Sequence, residues 1–349
     1  MIRIVHLLDD FAMGGVTRAL TMFEERSIKN VAHSKVRPIA SDARLAPSLD
    51  ADLIVDHMAL SWARLPFLMS LRARNRRARI VHVEHSYTRS YEAHMVTNKV
   101  RFRAMIKLAS NLFDDVVSVS NAQRHWLCSS VGISPSKLRV IYPWSGRFEL
   151  LNIKSPGPGL HRPLRLLAYG RMAPVKNFAC LIRAMRQFDD NDVQLTVFGG
   201  GPLRSRLEEL AHDQKGVTVL GQTNDPGFHL AACDAVIVPS RYEAFGLVAT
   251  EARLAGRTII VSDVDGLPEQ VGNAGRIMPM KDADEIATAV RWAMQADLSA
   301  MGDAGRREVA HQHKEILDKW LVLIAEVSPT PVSIAEETLR SAKTAVAAH

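Results

Sequence analysis

Three cysteines in 349 residues are too few and too scattered to staple a fold. Cys128, Cys180 and Cys233 are odd in number and fall outside any metal-ligand spacing. That excludes a disulfide framework and a cysteine zinc site, and it points to the reducing cytoplasm. Long apolar runs are missing as well. No stretch approaches about 18 uninterrupted apolar residues, so no membrane-crossing helix is predicted and any membrane association would be peripheral. The first ten residues, Met1 to Asp10, form a short apolar run closed by two acids, which reads as a first strand rather than a leader. Glycine (20) and proline (16) are ordinary in number, so the main body reads as neither disordered nor fibrous.

What the chain does have is enough apolar residue, 47%, to build more than one core. At this length two α/β domains of about 150 residues each are expected. Apolar runs of strand length alternate with stretches of helical periodicity, the pattern of parallel sheets covered on both faces. Strands are predicted at 3–8, 36–40, 53–57, 80–84, 115–119 and 138–141, then at 164–169, 194–198, 217–220, 235–239 and 258–261. Between the two sets, proline and glycine cluster and both periodicities fail. The expected domains are therefore 1–145 and 164–327, with a linker at 146–163 and a polar tail at 328–349 that packs back onto the first domain. Helices at 284–295 and 306–327 close the second half.

The net charge of +7 is uneven. From Arg64 to Lys107 eleven Lys and Arg face two acids, Glu84 and Glu92, so this stretch exceeds the excess of the whole chain. A solvated basic face and an anionic membrane surface are both compatible with it. Nucleic acid is disfavoured, because the run lacks interleaved aromatics for base stacking.

Chemistry concentrates in the second half. From Val238 to Gly256 a buried strand gives way to a short loop and then a helix, predicted to start at 244–246 and to end near Gly256. A helix start offers unpaired N–H groups and partial positive charge, which suits phosphate, and Gly246 admits close approach. Glu243 and Glu251 lie eight positions apart, about 12 Å along a helix. One could hold sugar hydroxyls and the other a ribose diol; equally, one could be a dipole partner and the other a solvated helix residue. After the first strand of this half, Gly170, Arg171, Lys176 and Asn177 occupy a loop at a strand's carboxyl end, where ligands of parallel sheets gather. A forked guanidinium and a mobile ammonium suit a diphosphate. Gly199 to Gly201 does not satisfy the dinucleotide fingerprint, so no nicotinamide cofactor is expected.

These segments resemble the retaining glycosyltransferases of family 4. The matching residues are Gly14-Gly15-Val16-Thr17-Arg18, Gly170-Arg171 to Lys176, Gly199-Gly200-Gly201-Pro202, Gly221, Pro239-Ser240, Glu243 with Glu251, and Gly266-Leu267-Pro268-Glu269. The resemblance implies the GT-B architecture, two Rossmann-like domains facing each other across a cleft. It also implies a nucleotide-diphosphate sugar as donor, GDP-mannose or a UDP-hexose. Residue by residue, it implies Arg171 and Lys176 on the diphosphate, Glu243 on the transferred sugar and Glu251 on the ribose. The amides of Phe245, Gly246 and Leu247 would cap the distal phosphate, with Gly170 beside it and Gly14 and Gly15 on the opposing loop. His85 would face the donor sugar, His82 would be core, and His57 is a weaker candidate. Arg171, Lys176 and the helix start can stand in for a divalent metal, so neither metal nor other cofactor is expected. The implied acceptor is a saccharide, lipid-linked through a polyprenyl diphosphate, in surface polysaccharide assembly. Tyr142-Pro143-Trp144 and Asp265 depart from the family pattern. A sugar-nucleotide epimerase of the same architecture and a non-catalytic nucleotide-binding subunit are the alternatives.

Overall fold

The computed structural model describes residues 1–9, 15–157, 159, 162–223 and 225–327. It divides into two compact units, Met1–Gly146 together with the residues from His313 onward, and Arg147–Gln312.

The first unit carries a parallel sheet of six strands: β1 (Ile2–Leu8), β2 (Ala32–Pro38), β3 (Leu53–Asp56), β4 (Arg79–Glu84), β5 (Asp115–Ser118) and β6 (Leu138–Val140). Their order is β2-β1-β3-β4-β5-β6, with Ile4 beside Leu53 and Val81 beside Asp115 in register. Every residue of β3 and β5 is buried, as helices on both faces require. β2 is an edge strand and mostly exposed, so its polar sequence carries little apolar signal. It runs from residue 32 to 38 rather than the 36–40 read from the sequence.

The second unit repeats the design with β7 (Leu164–Tyr169), β8 (Val193–Phe198), β9 (Val217–Leu220), β10 (Ala235–Val238), β11 (Thr258–Ser262) and β12 (Gly275–Met278), in the order β12-β11-β10-β7-β8-β9. β12 was not expected: four residues on an edge, none fully buried, leave no period to read.

Two boundaries differ from the sequence reading. Residues 147–157, expected as linker, are tied to the second unit. Leu150 is buried, and Arg257 and Arg306 donate to the carbonyls of Lys154 (2.9 Å) and Ile153 (2.6 Å). At the other end the single helix read at 306–327 is two, Leu298–Val309 and Gln312–Ala325. The second belongs with the first unit instead of closing the second. Trp320 stacks edge-on to Phe23 at 4.9 Å, His313 meets Glu25 at 3.1 Å, and Glu326 reaches Arg79 and Arg139 at 2.9 and 2.7 Å. That helix is thus packed on Phe23 and Trp144 of the first unit, partners no local pattern could name. The tail at 328–349 lies outside the described residues.

Candidate functional site

In the second sheet the strand order reverses at β7, which has β10 on one side and β8 on the other. Open parallel sheets bind ligands at the carboxyl ends of strands beside such a switch point. The two loops leaving it there, 170–177 and 239–246, hold most of the candidates, and they are bound to each other. Arg241 N donates to Val175 O at 2.8 Å, and Lys176 Nζ pairs directly with Glu243 Oε2. Ser240 donates its hydroxyl to the same carboxylate oxygen at 3.2 Å. Lys176 and Glu243 are both partly exposed, so their charges remain reachable. Arg171, on the same loop, is exposed, and its side chain has no ion pair or hydrogen bond among the described residues.

A third loop, after β8, seats the first. Gly199 has φ +149°, and a Cβ there would stand 1.9 Å from the carbonyl oxygen of Gly170, so the two loops touch backbone to backbone. From β11 comes a fourth contact. Asp265 accepts a hydrogen bond from Glu243 N at 3.2 Å, and it does so at φ +45°, a left-handed conformation that glycine adopts more readily.

The helix Leu247–Leu254 starts one residue after Gly246, slightly later than the predicted 244–246. Gly246 is its N-cap at φ +88°, and a Cβ would lie 2.6 Å from Leu267 Cδ2, so no other residue fits without strain. Gln270 Nε2 donates to Phe245 O (2.5 Å) and Gly246 O (3.0 Å), fixing the turn. The N–H groups of Gly246 and Leu247 find no acceptor among the described residues, and no acid sits in the first turn. Partial positive charge is therefore left open at this end. Lys176, Glu243, Gly170, Gly246 and Leu247 thus belong to one connected set of loops. Phe245 has its side chain buried beneath it.

Glu251 is placed differently from a solvated helix residue. It is 2% exposed, accepts a hydrogen bond from Tyr169 OH at 2.7 Å, and lies 3.4 Å from Arg147 Nε. Burial first, then the Glu251 charge, pushes the Tyr169 phenol well above its ordinary value. A ribose contact would have to share this carboxylate with Arg147.

The first sheet reverses between β1 and β3, and there the sequence missed a feature. His6, His57 and His85 form a row: His6 Nδ1 is 3.0 Å from His57 Nε2, and His57 Nδ1 is 3.0 Å from His85 Nε2. Strand spacing could have suggested it, since each histidine sits near the end of a neighbouring strand. Burial lowers all three, His6 to about 3 and His85 to about 4, so the row is neutral at pH 7. His82, read as core, is buried between Asp56 (2.8 Å) and Glu84 (3.5 Å). Burial opposes its charge, but the hydrogen bond to Asp56 and the nearby Glu84 carboxylate prevail and raise it to about 9. Gly15 is exposed at the start of the helix Gly15–Ala19, and Gly14 lies outside the described residues.

A pH effect follows from His82. Its folded value lies above the ordinary 6.5, so its stabilisation is complete below about 6.5 and is lost as pH rises through about 9. The stability gap between the native chain and His82→Gln is expected to be largest near pH 6 and to narrow by pH 10. Melting curves at the two pH values measure this, and a gap that widens would contradict the charged state.

Metal independence does not follow from the sequence. Asp-x-Asp triplets stand at Asp50–Asp52, Asp190–Asp192, Asp263–Asp265 and Asp282–Asp284. Several of these carboxylates are already engaged: Asp52 by Arg3, Asp192 by Arg162, Asp282 as a helix cap and Asp265 by Glu243 N.

Comparison with known proteins bears on the whole arrangement. Residues 163–296 match the family model described as glycosyl transferases group 1, and residues 24–144 match glycosyltransferase family 4. An uncharacterized glycosyltransferase of Methanocaldococcus jannaschii is 30% identical over 224 residues, 59% of this chain and 56% of that protein. The MMP alpha-(1->4)-mannosyltransferase of Mycolicibacterium hassiacum is 25% identical over 274 residues, 74% of this chain and 66% of its own length. This chain thus spans less than two thirds of either relative. Among solved structures, Anabaena HepE in complex with UDP-glucose superposes with a TM-score of 0.73 at 18% identity, covering 92% of this chain and 100% of that one. That likeness carries the fold. With a family 4 domain in its first half, a group 1 domain in its second and a six-stranded parallel sheet in each, the chain belongs to the glycosyltransferases of GT-B architecture.

Proposed function

We propose that this chain transfers a hexose from a nucleotide-diphosphate sugar to a saccharide acceptor, with retention of configuration and without a metal ion. The observation that carries the reading is the set of open amides at Gly246 and Leu247, linked through one loop network to the Lys176–Glu243 pair. Charge developing on the leaving diphosphate is met by Lys176, Arg171 and the helix start, while Glu243 turns to the sugar hydroxyls and His85 faces the sugar. The leaving diphosphate itself takes the acceptor's proton on the same face of the sugar. Names of relatives favour GDP-mannose or UDP-glucose as donor: one is a mannosyltransferase, and another was solved with UDP-glucose.

The test is a panel of nucleotide sugars, read first by thermal shift and then by transfer in the presence of EDTA. A matching donor is expected to raise the melting temperature, since a ligand that prefers the folded state stabilises it. Transfer to an added saccharide should persist in EDTA. Donor converted with no acceptor present would instead indicate an epimerase. Binding with neither outcome would indicate a silent subunit.

The acceptor is proposed to be lipid-linked, in surface polysaccharide assembly at a cytoplasmic membrane face. No helix among the described residues is long and apolar enough to cross a membrane. Of the basic run, Arg64, Arg72, Arg79 and Arg103 are spent on ion pairs within the fold. Arg76, Arg77, Arg89, Lys99, Arg101 and Lys107 are exposed, and so are Trp62, Met95, Val100 and Leu108. Cations interleaved with exposed apolar side chains suit an anionic bilayer surface. Sedimentation with phosphatidylglycerol vesicles should show binding at low salt that weakens at high salt. No binding at either salt would remove the membrane from the proposal.

A further inference from the structure

The histidine row has a direction. When its three rings are neutral, each 3.0 Å gap holds one proton, so both protons must sit on the same side of their gaps. In one arrangement His6, His57 and His85 all carry hydrogen on Nδ1; in the other, all carry it on Nε2. The two ends of the row decide between them. His6 is 1% exposed, and its Nε2 is buried with no hydrogen-bond partner among the described residues. Phe23, whose ring lies edge-on at 4.3 Å, offers at most a weak π acceptor there. The Nε2 arrangement would strand an N–H donor in that place, and orphaned buried N–H groups are the rarest defect in native folds. The Nδ1 arrangement leaves only a lone pair bare. At the other end His85 is partly exposed, and its Nδ1 is outside the buried unpaired atoms, so it opens to ligand.

We propose that His6 and His57 are positioning residues that hold His85 as a neutral imidazole with its proton on Nδ1, so that His85 meets a hydroxyl or phosphate oxygen of the substrate as a hydrogen-bond donor and not as a base. The proposal rests on the reading of His85 as sugar-facing. The protonated His82, seated between Asp56 of β3 and Glu84 of its own strand, adds a positive charge that disfavours a second cation in the row. Glu84, the remaining charged neighbour, acts the other way on His85, and burial of the imidazole outweighs it.

Two-bond proton–nitrogen NMR spectra of the full chain, labelled at the histidine rings, read each tautomer directly. At pH 7 His57 and His85 are expected to carry hydrogen on Nδ1. His6→Asp, which puts an acceptor in place of the first donor, should turn the row, with His57 and His85 moving toward the Nε2 form, kcat reduced about tenfold and donor KM little changed. His6→Asn, which returns a donor near the position of Nδ1, should restore both and serves as the control for folding. Hydrogen on Nε2 of His85 in the native chain would overturn the proposal, as would an unchanged His85 tautomer in His6→Asp. If the tautomers are as expected but His85→Ala transfers sugar at the native rate, the sugar-facing role fails and the proposal fails with it; the ring polarity would still stand as measured.

Discussion

Lys176→Ala is expected to lower sugar transfer by about 100- to 1000-fold while leaving the fold intact, the range seen when one donor is removed from a site that stabilises developing negative charge. Lys176 is the cation that the structure ties most directly to the helix start, through its ion pair with Glu243 and the bond between Arg241 and Val175. Its removal strands no buried charge, because Glu243 is partly exposed and keeps its contact with Ser240. Circular dichroism should therefore match the native chain. Arg171→Ala should act in the same direction, its guanidinium having no partner to lose among the described residues. Normal turnover with either substitution would remove that residue from the leaving-group role.

Glu251→Ala is expected to damage stability and donor binding together. The carboxylate is 2% exposed and is shared between Tyr169 and Arg147, so truncation leaves the buried phenol without its acceptor and takes one of two carboxylates from Arg147, which keeps Glu149. Removing one partner of a buried ion pair costs about 3–5 kcal/mol. The melting temperature should fall, and a raised donor KM in this variant alone would not distinguish lost affinity from a loosened site. Glu251→Gln is the cleaner probe. It keeps an oxygen for the Tyr169 hydroxyl and removes the charge; a several-fold rise in donor KM with a modest stability change is expected. An unchanged donor KM in Glu251→Gln would argue that Glu251 holds Arg147 and Tyr169 and never touches ribose.

Buried strands were readable because a strand covered on both faces is mostly apolar, as Leu53–Val55 of β3, Val116–Val117 of β5 and all of β10 are. The helix at Leu247 was readable from the glycine that starts it and from the strand that precedes it. Edge strands were not. β12 needs no buried residue, and β2 is polar because it is mostly exposed. The helix Gln312–Ala325 shows an apolar face in sequence, yet nothing local says that Phe23 and Trp144, far away in the chain, will cover it. The burial of Glu251 was not legible because its partners, Tyr169 and Arg147, are 82 and 104 positions distant. The histidine row was hidden for the same reason: His6, His57 and His85 become neighbours only once β1, β3 and β4 lie side by side.

The central claim is that the amides of Gly246 and Leu247 receive a pyrophosphate. Amide NMR of the chain with nitrogen-15 at glycine and leucine measures it, with UDP and GDP each compared against uridine and guanosine. For the nucleotide that binds, the Gly246 and Leu247 signals should move strongly with the diphosphate and little with the nucleoside. A nucleotide that binds, by the broadening of its own resonances, while both amides stay where they were would contradict the account.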